Sequence, residues 1–199
     1  AHVNYCLEAP NVPCGAGGGV FSENGQTTII NSTIAENAAG TFGGGIYVLR
    51  VGAGTQSQAA VRLKNATVAG NSAGTEDMSV FHREGAGILN NGALVEVKNS
   101  IVTNNTGGTI HECFKVPVSP ASVITTQGNN IQSDGTCWTS LSSDRLGAAN
   151  LGPLANNGGE TLTMMPKAGS LALNAGDNAA CAAAPVFNVD QRGVARPIS

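Results

Sequence analysis

The chain of 199 residues is poor in aromatic side chains, at 4%, and in charged ones, at 12%. So few large rings leave the packing to small and β-branched residues, which argues against a broad globular core. Lys and Arg number 10 against 13 Asp and Glu, a net charge of −3, so no basic field is available for the phosphates of a nucleic acid. No hydrophobic run approaches the length of a transmembrane helix. The three histidines are scattered and no Cys-x-x-Cys pair occurs; the Gly-x-Ser-x-Gly string at residues 70–74 lies in a glycine-rich stretch and does not lead from a strand pattern into a helical one. The residues thus point to no zinc set, no cofactor site and no nucleophile elbow.

What is abundant is glycine, 27 residues in all, together with asparagine in register. Asn31-Ser-Thr-Ile34, Asn65-Ala-Thr-Val68 and Asn99-Ser-Ile-Val102 recur every 34 residues, each followed six residues on by Asn37, Asn71 or Asn105. A self-similar period of this length marks units that bury their apolar faces only against their neighbours. A 34-residue period also belongs to helix-turn-helix repeats, so composition must decide. It decides for strands. Thr27-Thr-Ile-Ile30, Ala60-Val-Arg-Leu63 and Leu94-Val-Glu-Val97 are alternating and β-branched, and the triple glycines at 17–19 and 43–45 are costly inside helices.

Ile29, Leu63 and Val97 precede the repeat asparagine by two residues, whereas Ile34, Val68 and Val102 follow it by three. The buried parity therefore flips at Asn31, Asn65 and Asn99, which places a corner there. Asparagine tolerates the left-handed region, and stacked copies can form an amide ladder. A second corner is expected near Asn37, Asn71 and Asn105. Three short strands and three bends per repeat, stacked in parallel with a right-handed crossover, predict an all-β, single-domain, right-handed parallel β-helix. Residues 1–16 read as an N-terminal segment, 17–135 as the repeats, and 136–199 as a last coil with an irregular cap. The glycine motif recurs after 26 residues (Gly19 to Gly45) and then after 42 (Gly45 to Gly87), so residues 72–84 are expected to protrude as a loop.

Five cysteines point to an oxidising compartment. The expected pairs are Cys6 with Cys14 and Cys113 with Cys137, the second worth on the order of 3 kcal/mol by loop closure. Cys181 is left over, with a partner outside this sequence, a free buried thiol or an intermolecular bridge as its alternatives. The start at Ala1, without an initiator methionine, leads us to expect a processed product.

The C-terminal third changes character: 151–162 reads LGPLANNGGETL, 168–177 reads AGSLALNAGD, and Asp190-Gln-Arg-Gly193 is followed by Arg196-Pro197. These strings, following the "NSTI…N…GGGI" coils, resemble bacterial surface proteins of the choice-of-anchor Q type, and the repeats resemble polymorphic outer-membrane-protein and right-handed β-helix families. Glu160 stands where that family commonly has proline, Lys167 departs from its "PGSPA"-like string, and Ser199 falls before its "CDIGAFE"-like end. The missing end is a natural source for a partner of Cys181. The resemblance implies an exported, cell-surface or extracellular β-helix and does not imply an enzyme.

Asp177, Asp190, Arg192 and Arg196 are expected to pin an irregular cap over the last coil by charge-assisted bonds. Parallel β-helices that cleave acidic polysaccharides need clustered carboxylates or a base beside calcium ligands. Here Thr28, Arg62 and Glu96 form one outward column and Ile30, Lys64 and Lys98 another, an ordinary solvated face with one cross-strand ion pair. Glu76-Asp77, His82-Arg83-Glu84 and His111-Glu112 read as solvated loop residues, His2 as part of the terminus, and Phe21, Phe42, Tyr47, Phe81 and Trp138 as lacking a common register. Of the sequons at Asn31, Asn65 and Asn104, sugar on Asn31 or Asn65 would break the stack, which leaves Asn104 as the candidate. No catalytic, cofactor or metal residues are assigned. The expected function is a secreted or cell-surface structural element that self-associates head to tail. The alternatives are a carbohydrate or host-surface adhesin, with a surface polysaccharide as partner, and a polysaccharide lyase or glycoside hydrolase.

Overall fold

A computed structural model describes residues 15, 17–52, 59–74, 85–107, 112–118 and 120–196. The protein is nearly all β. The first repeat supplies β1 (Val20–Glu23), β2 (Gln26–Ile30), β3 (Thr33–Ala35) and β4 (Ala38–Ala39). The second supplies β5 (Ile46–Leu49), β6 (Ala60–Lys64), β7 (Thr67–Ala69) and β8 (Ser72–Ala73), and the third β9 (Ile88–Asn91), β10 (Leu94–Lys98) and β11 (Ile101–Thr103). A fourth follows as β12 (Cys113–Lys115), β13 (Val123–Thr126) and β14 (Ile131–Gln132), then β15 (Arg145–Leu146) alone. The chain closes with an antiparallel pair, β16 (Leu151–Ala155) and β17 (Thr163–Pro166), and the one-turn helix α1 (Asn178–Ala182).

Successive strands enter successive sheets, and each sheet takes its strands in repeat order. The first is β1-β5-β9-β12, the second β2-β6-β10-β13, and the third β3-β7-β11-β14-β15, with β4-β8 as a small fourth. All these pairings are parallel and keep the 34-residue register where both strands lie in the first three repeats of the second and third sheets, as in Leu63 with Val97 and Val68 with Val102. The core lies between the sheets: Val61, Leu63, Val95 and Val97 from the second face Val68 and Val102 from the third and Ile46, Val48 and Ile88 from the first, each at most 1% exposed.

The parity flip has a backbone cause. Asn31, Asn65 and Asn99 adopt φ of 47°, 53° and 51°, the left-handed conformation that turns the chain between the second and third sheets. Asn129, at φ 60°, makes the same corner in the fourth repeat. At the second corner the left-handed residue is the one before the repeat asparagine: Glu36 (57°), Gly70 (66°) and Asn104 (57°). Asn37, Asn71 and Asn105 themselves turn inward, and here the amide ladder forms, not on the Asn31 column. Asn37 Nδ2 donates to Asn71 Oδ1 at 2.9 Å, and Asn71 Nδ2 to Asn105 Oδ1 at 2.8 Å. Each acceptor oxygen also takes the backbone N–H of the asparagine before it, and the second amide hydrogens of Asn71 and Asn105 reach Ile34 O and Val68 O at 3.0 Å. Asn71 is fully buried, yet its donors and acceptor are all used.

The glycine motif is the other half of this device. A Cβ on Gly45 would meet Gly87 O at 2.6 Å and Asn71 Nδ2 at 2.9 Å, and one on Gly87 would meet Glu112 O at 2.6 Å and Asn105 Nδ2 at 2.8 Å. A column without side chains thus lets neighbouring strands and the ladder approach each other.

Cys113 and Cys137 are bonded, with Cα atoms 4.7 Å apart. Cys6 and Cys14 lie outside the described residues, as do His2, Glu76-Asp77, Phe81, His82-Arg83-Glu84, His111 and most of the expected 72–84 loop. The far end of the stack is covered by residues 133–147. Trp138 is 5% exposed there, and Gln132 holds the segment by accepting from Cys137 N and donating to Trp138 O. Among the described residues no helix is long and apolar enough to cross a membrane.

The glycine column makes a direct prediction. Gly45→Ala should lower unfolding free energy by about 1–3 kcal/mol through overpacking against the ladder. Gly25→Ala, where an added Cβ finds its nearest neighbour 3.6 Å away, should change it by well under 1 kcal/mol, both read by urea unfolding. Equal effects at the two sites would contradict the packing argument.

Candidate functional site

An amide ladder has a donor end, and the group that receives it is set by chemistry. The free donor is Asn105 Nδ2, which gives its hydrogen to Glu112 Oε2 at 2.5 Å. An acceptor that need not donate onward suits this place, and a carboxyl provides one. Ser133 Oγ donates to the other oxygen, Oε1. Glu112 is only 2% exposed, so its expected place in a solvated loop is corrected: it terminates the ladder from inside. Burial pushes its carboxyl pKa above the usual range, with Asp134 adding to the rise, while the bonds from Ser133 and Asn105 pull it down. Asp134 in turn accepts from Glu112 N and from Thr136 N and Oγ1. Lys115, whose ammonium is disfavoured by burial and favoured by Asp134, donates to the carbonyls of Thr136 and Cys137. The cluster therefore ties the closing segment to the stack.

A second polar ladder runs along a corner. Ser100 Oγ accepts from Ala66 N, Asn130 Oδ1 from Ser100 N, and Asp144 Oδ1 from Asn130 N, at 2.8–3.0 Å. Asn129-Asn130-Ile131 repeats the Asn99-Ser-Ile pattern at a spacing of 30 instead of 34, the signal that the strict period hides.

The outward face of the second sheet carries a cross-strand row. Arg62 bonds Glu96 at 2.7 Å and donates to Gln26 Oε1, and Gln127 donates to Glu96 Oε1 at 3.0 Å. Arg62, Glu96 and Gln127 of this row, with Thr28, Lys98 and Ala180 of α1, line a shallow groove of about 270 Å³. Lys98 bridges Asp177 at 2.8 Å and donates to Gln127 O. On the first sheet, Phe21 and Tyr47 are register partners with ring centres 5.3 Å apart, and Phe42 lies 6.5 Å from Tyr47. The expectation of no common register thus fails for this pair, because the 26-residue glycine spacing, not the 34-residue period, sets the alignment of β1 on β5.

The later part of the C-terminal block lies along the flank of the repeats. Asn129 donates to Ala175 O, Asn99 brackets the backbone of Asp177 through both amide atoms, Lys64 reaches Ala184 O, and Asn31 reaches Val189 O. Thr33 donates to Gln191. Residues 175–191 therefore run back along the flank from the fourth repeat to the first, over the asparagine corners. Ala69 and Thr103, on the outward side of the third sheet, are buried to 1% and 0%. Asp177 caps α1 by accepting from Ala179 N and Ala180 N, and its bond to Lys98 leads the causes that hold its carboxyl below the usual range. For Asp190 burial pushes upward, but bonds from Val194 N and Arg192 prevail and lower it. Arg192 pairs with Asp190 at 2.8 Å and donates to Asn157 O, fastening the tail to the hairpin of β16 and β17. Arg196 contributes its backbone N–H to Asn188 O. Asn65 is the exception in its column, both side-chain polar atoms being buried without a partner. Cys181 is a buried free thiol with Sγ 3.6 Å from Asn99 Nδ2.

Among the described residues no group of three His, Cys, Asp or Glu side chains could hold a metal ion. No family model, curated protein or solved structure matches the chain.

The raised carboxyl of Glu112 sets the sign of a pH effect. The folded state binds this proton more tightly than the unfolded chain, so its stabilising contribution is full below the ordinary carboxyl value and is lost as pH rises through the folded one. Glu112→Gln keeps an acceptor for Asn105 without the charge. The stability of this variant relative to the unaltered protein should therefore rise between about pH 4 and about pH 7, read by thermal unfolding. A difference that stays flat or falls over that interval would refute it.

Proposed function

We propose that this chain is a right-handed parallel β-helix acting as an exported structural element at a cell surface or in an extracellular matrix, by position, persistence and self-association. The observation that carries the reading is the cyclic strand order: three parallel sheets, each taking one strand from every repeat in the same register. Such stacks are quasi-one-dimensional and derive their stability from neighbour contacts, which suits a persistent extended element. The Cys113–Cys137 bond favours an oxidising compartment. The resemblance of the 151–162 and 168–177 strings to exported surface proteins points the same way. Glu96, in the groove, and Asp177, bonded to the groove's Lys98, each bind a cation across 2.7–2.8 Å, an arrangement that serves packing.

A second reading, a carbohydrate-binding surface, draws on the cluster of Phe21, Phe42 and Tyr47, with Phe21 at 50% exposure. Electron microscopy of the purified protein should show extended particles, and incubation with pectin or alginate, with and without calcium, should release no products. Product release lost on changing Glu96 or Asp177 would overturn the structural reading in favour of an enzyme. Binding to a glycan array abolished by Phe21→Ala would favour the adhesin.

A further inference from the structure

The register of the third sheet defines one inward column: Ile34, Val68, Val102, Gln132, Leu146. Ile34 is 9% exposed and the next three at most 1%, but Leu146, at the same core position on the last strand, is 62% exposed. A leucine in a core column with no further repeat beyond it lies where another strand would bury it. The outer side of β15 is likewise free: among the described residues β14 is its only partner. Val123 and Leu141 stand 43% and 50% exposed at β13 and in the closing segment.

The two ends of the sheet differ in charge. At the first-repeat end, where β3 is the terminal strand among the described residues, residues 17–45 contain Glu23 and Glu36, both exposed, and no Lys or Arg. At the other end the acids are engaged within their own chain, Asp144 half-buried and Asp134 exposed. Asp144 accepts from Thr126, Leu141 N and Asn130 N, and Asp134 from Glu112 N and Thr136. Lys115 is occupied by two carbonyls, which leaves Arg145 as the exposed cation of the terminal strand.

We propose that the β15 end docks on the first-repeat end of a second copy of this chain, β15 pairing in parallel with the neighbour's β3. The inference rests on the self-associating reading above and names its contact. Continuing the register places Leu146 against Ile34 of the next copy and Arg145 against its Thr33, with Glu36 further along the same segment. Main-chain pairing supplies the geometry, Leu146 the apolar contact, and the Arg145–Glu36 attraction the polarity. The contact is heterologous and does not close on itself, so it propagates into a filament.

Sedimentation velocity of the full chain over a range of concentrations tests this. The average mass should rise with concentration, and Arg145→Glu or Glu36→Lys should each weaken association by about tenfold, the scale of one interfacial charge pair. Combining the two should restore it. Leu146→Asp should weaken it as well, and thermal unfolding of all the variants should match the unaltered protein at a dilution where it is monomeric, because these side chains are exposed in the single chain. Association unchanged by every variant would overturn this contact while leaving self-association standing elsewhere. A strictly monomeric protein at high concentration would overturn the contact and the self-association component together.

Discussion

The structure depends on keeping a buried amide satisfied at every level of the stack. In the interior an unpaired amide costs more than the hydrogen bond it fails to make, so Asn37, Asn71 and Asn105 are tolerable only as a continuous series. Continuity requires the repeats to sit at strand spacing and in one register. That in turn requires Gly19, Gly45 and Gly87, because a Cβ at any of them would fall within 2.9 Å of the ladder nitrogen beside it. It also requires an end. Glu112 supplies this from a repeat whose spacing differs from the others, and the bonds of Ser133 and Asp134 around it bring in the closing segment that shields the core.

The two asparagine columns look alike in sequence but answer different needs. Asn31, Asn65, Asn99 and Asn129 are selected for a left-handed backbone, and their amides point outward, where three of the four fasten the returning C-terminal segment through its carbonyls. Asn37, Asn71 and Asn105 are selected for their side chains. The outer column thereby binds the flank block without specifying its side chains, which explains how a stretch rich in Ala and Gly can lie along the third sheet.

Much of this was legible in the chain. The 34-residue period, the parity flip at Asn31, Asn65 and Asn99, and the alternation around Leu63 and Val97 translate directly into strands, corners and buried faces. What was not legible involved partners far apart or at broken spacing. Glu112 meets Ser133 across 21 residues, with nothing local to mark it as buried. The fourth repeat, 30 residues on, escapes a strict period. The flank position of 175–191 rests on backbone carbonyls, which carry no residue code. Which column forms the ladder depends on side-chain direction, and the residue with positive φ at the second corner is Glu36, Gly70 or Asn104, three types with no shared pattern.

The most direct test of the account compares two asparagines that sequence alone makes equivalent. Asn71 sits in the satisfied ladder, whereas Asn65 holds a left-handed corner with an unpartnered amide. Measured by urea unfolding, Asn71→Ala should cost about 2–4 kcal/mol, because the amides of Asn37 and Asn105 lose their partner inside the stack. Asn65→Gly, which suits the same backbone, should change stability by less than about 1 kcal/mol. The reverse order, with Asn65→Gly the more damaging, would show that the outer column and not the inner ladder holds the repeats together.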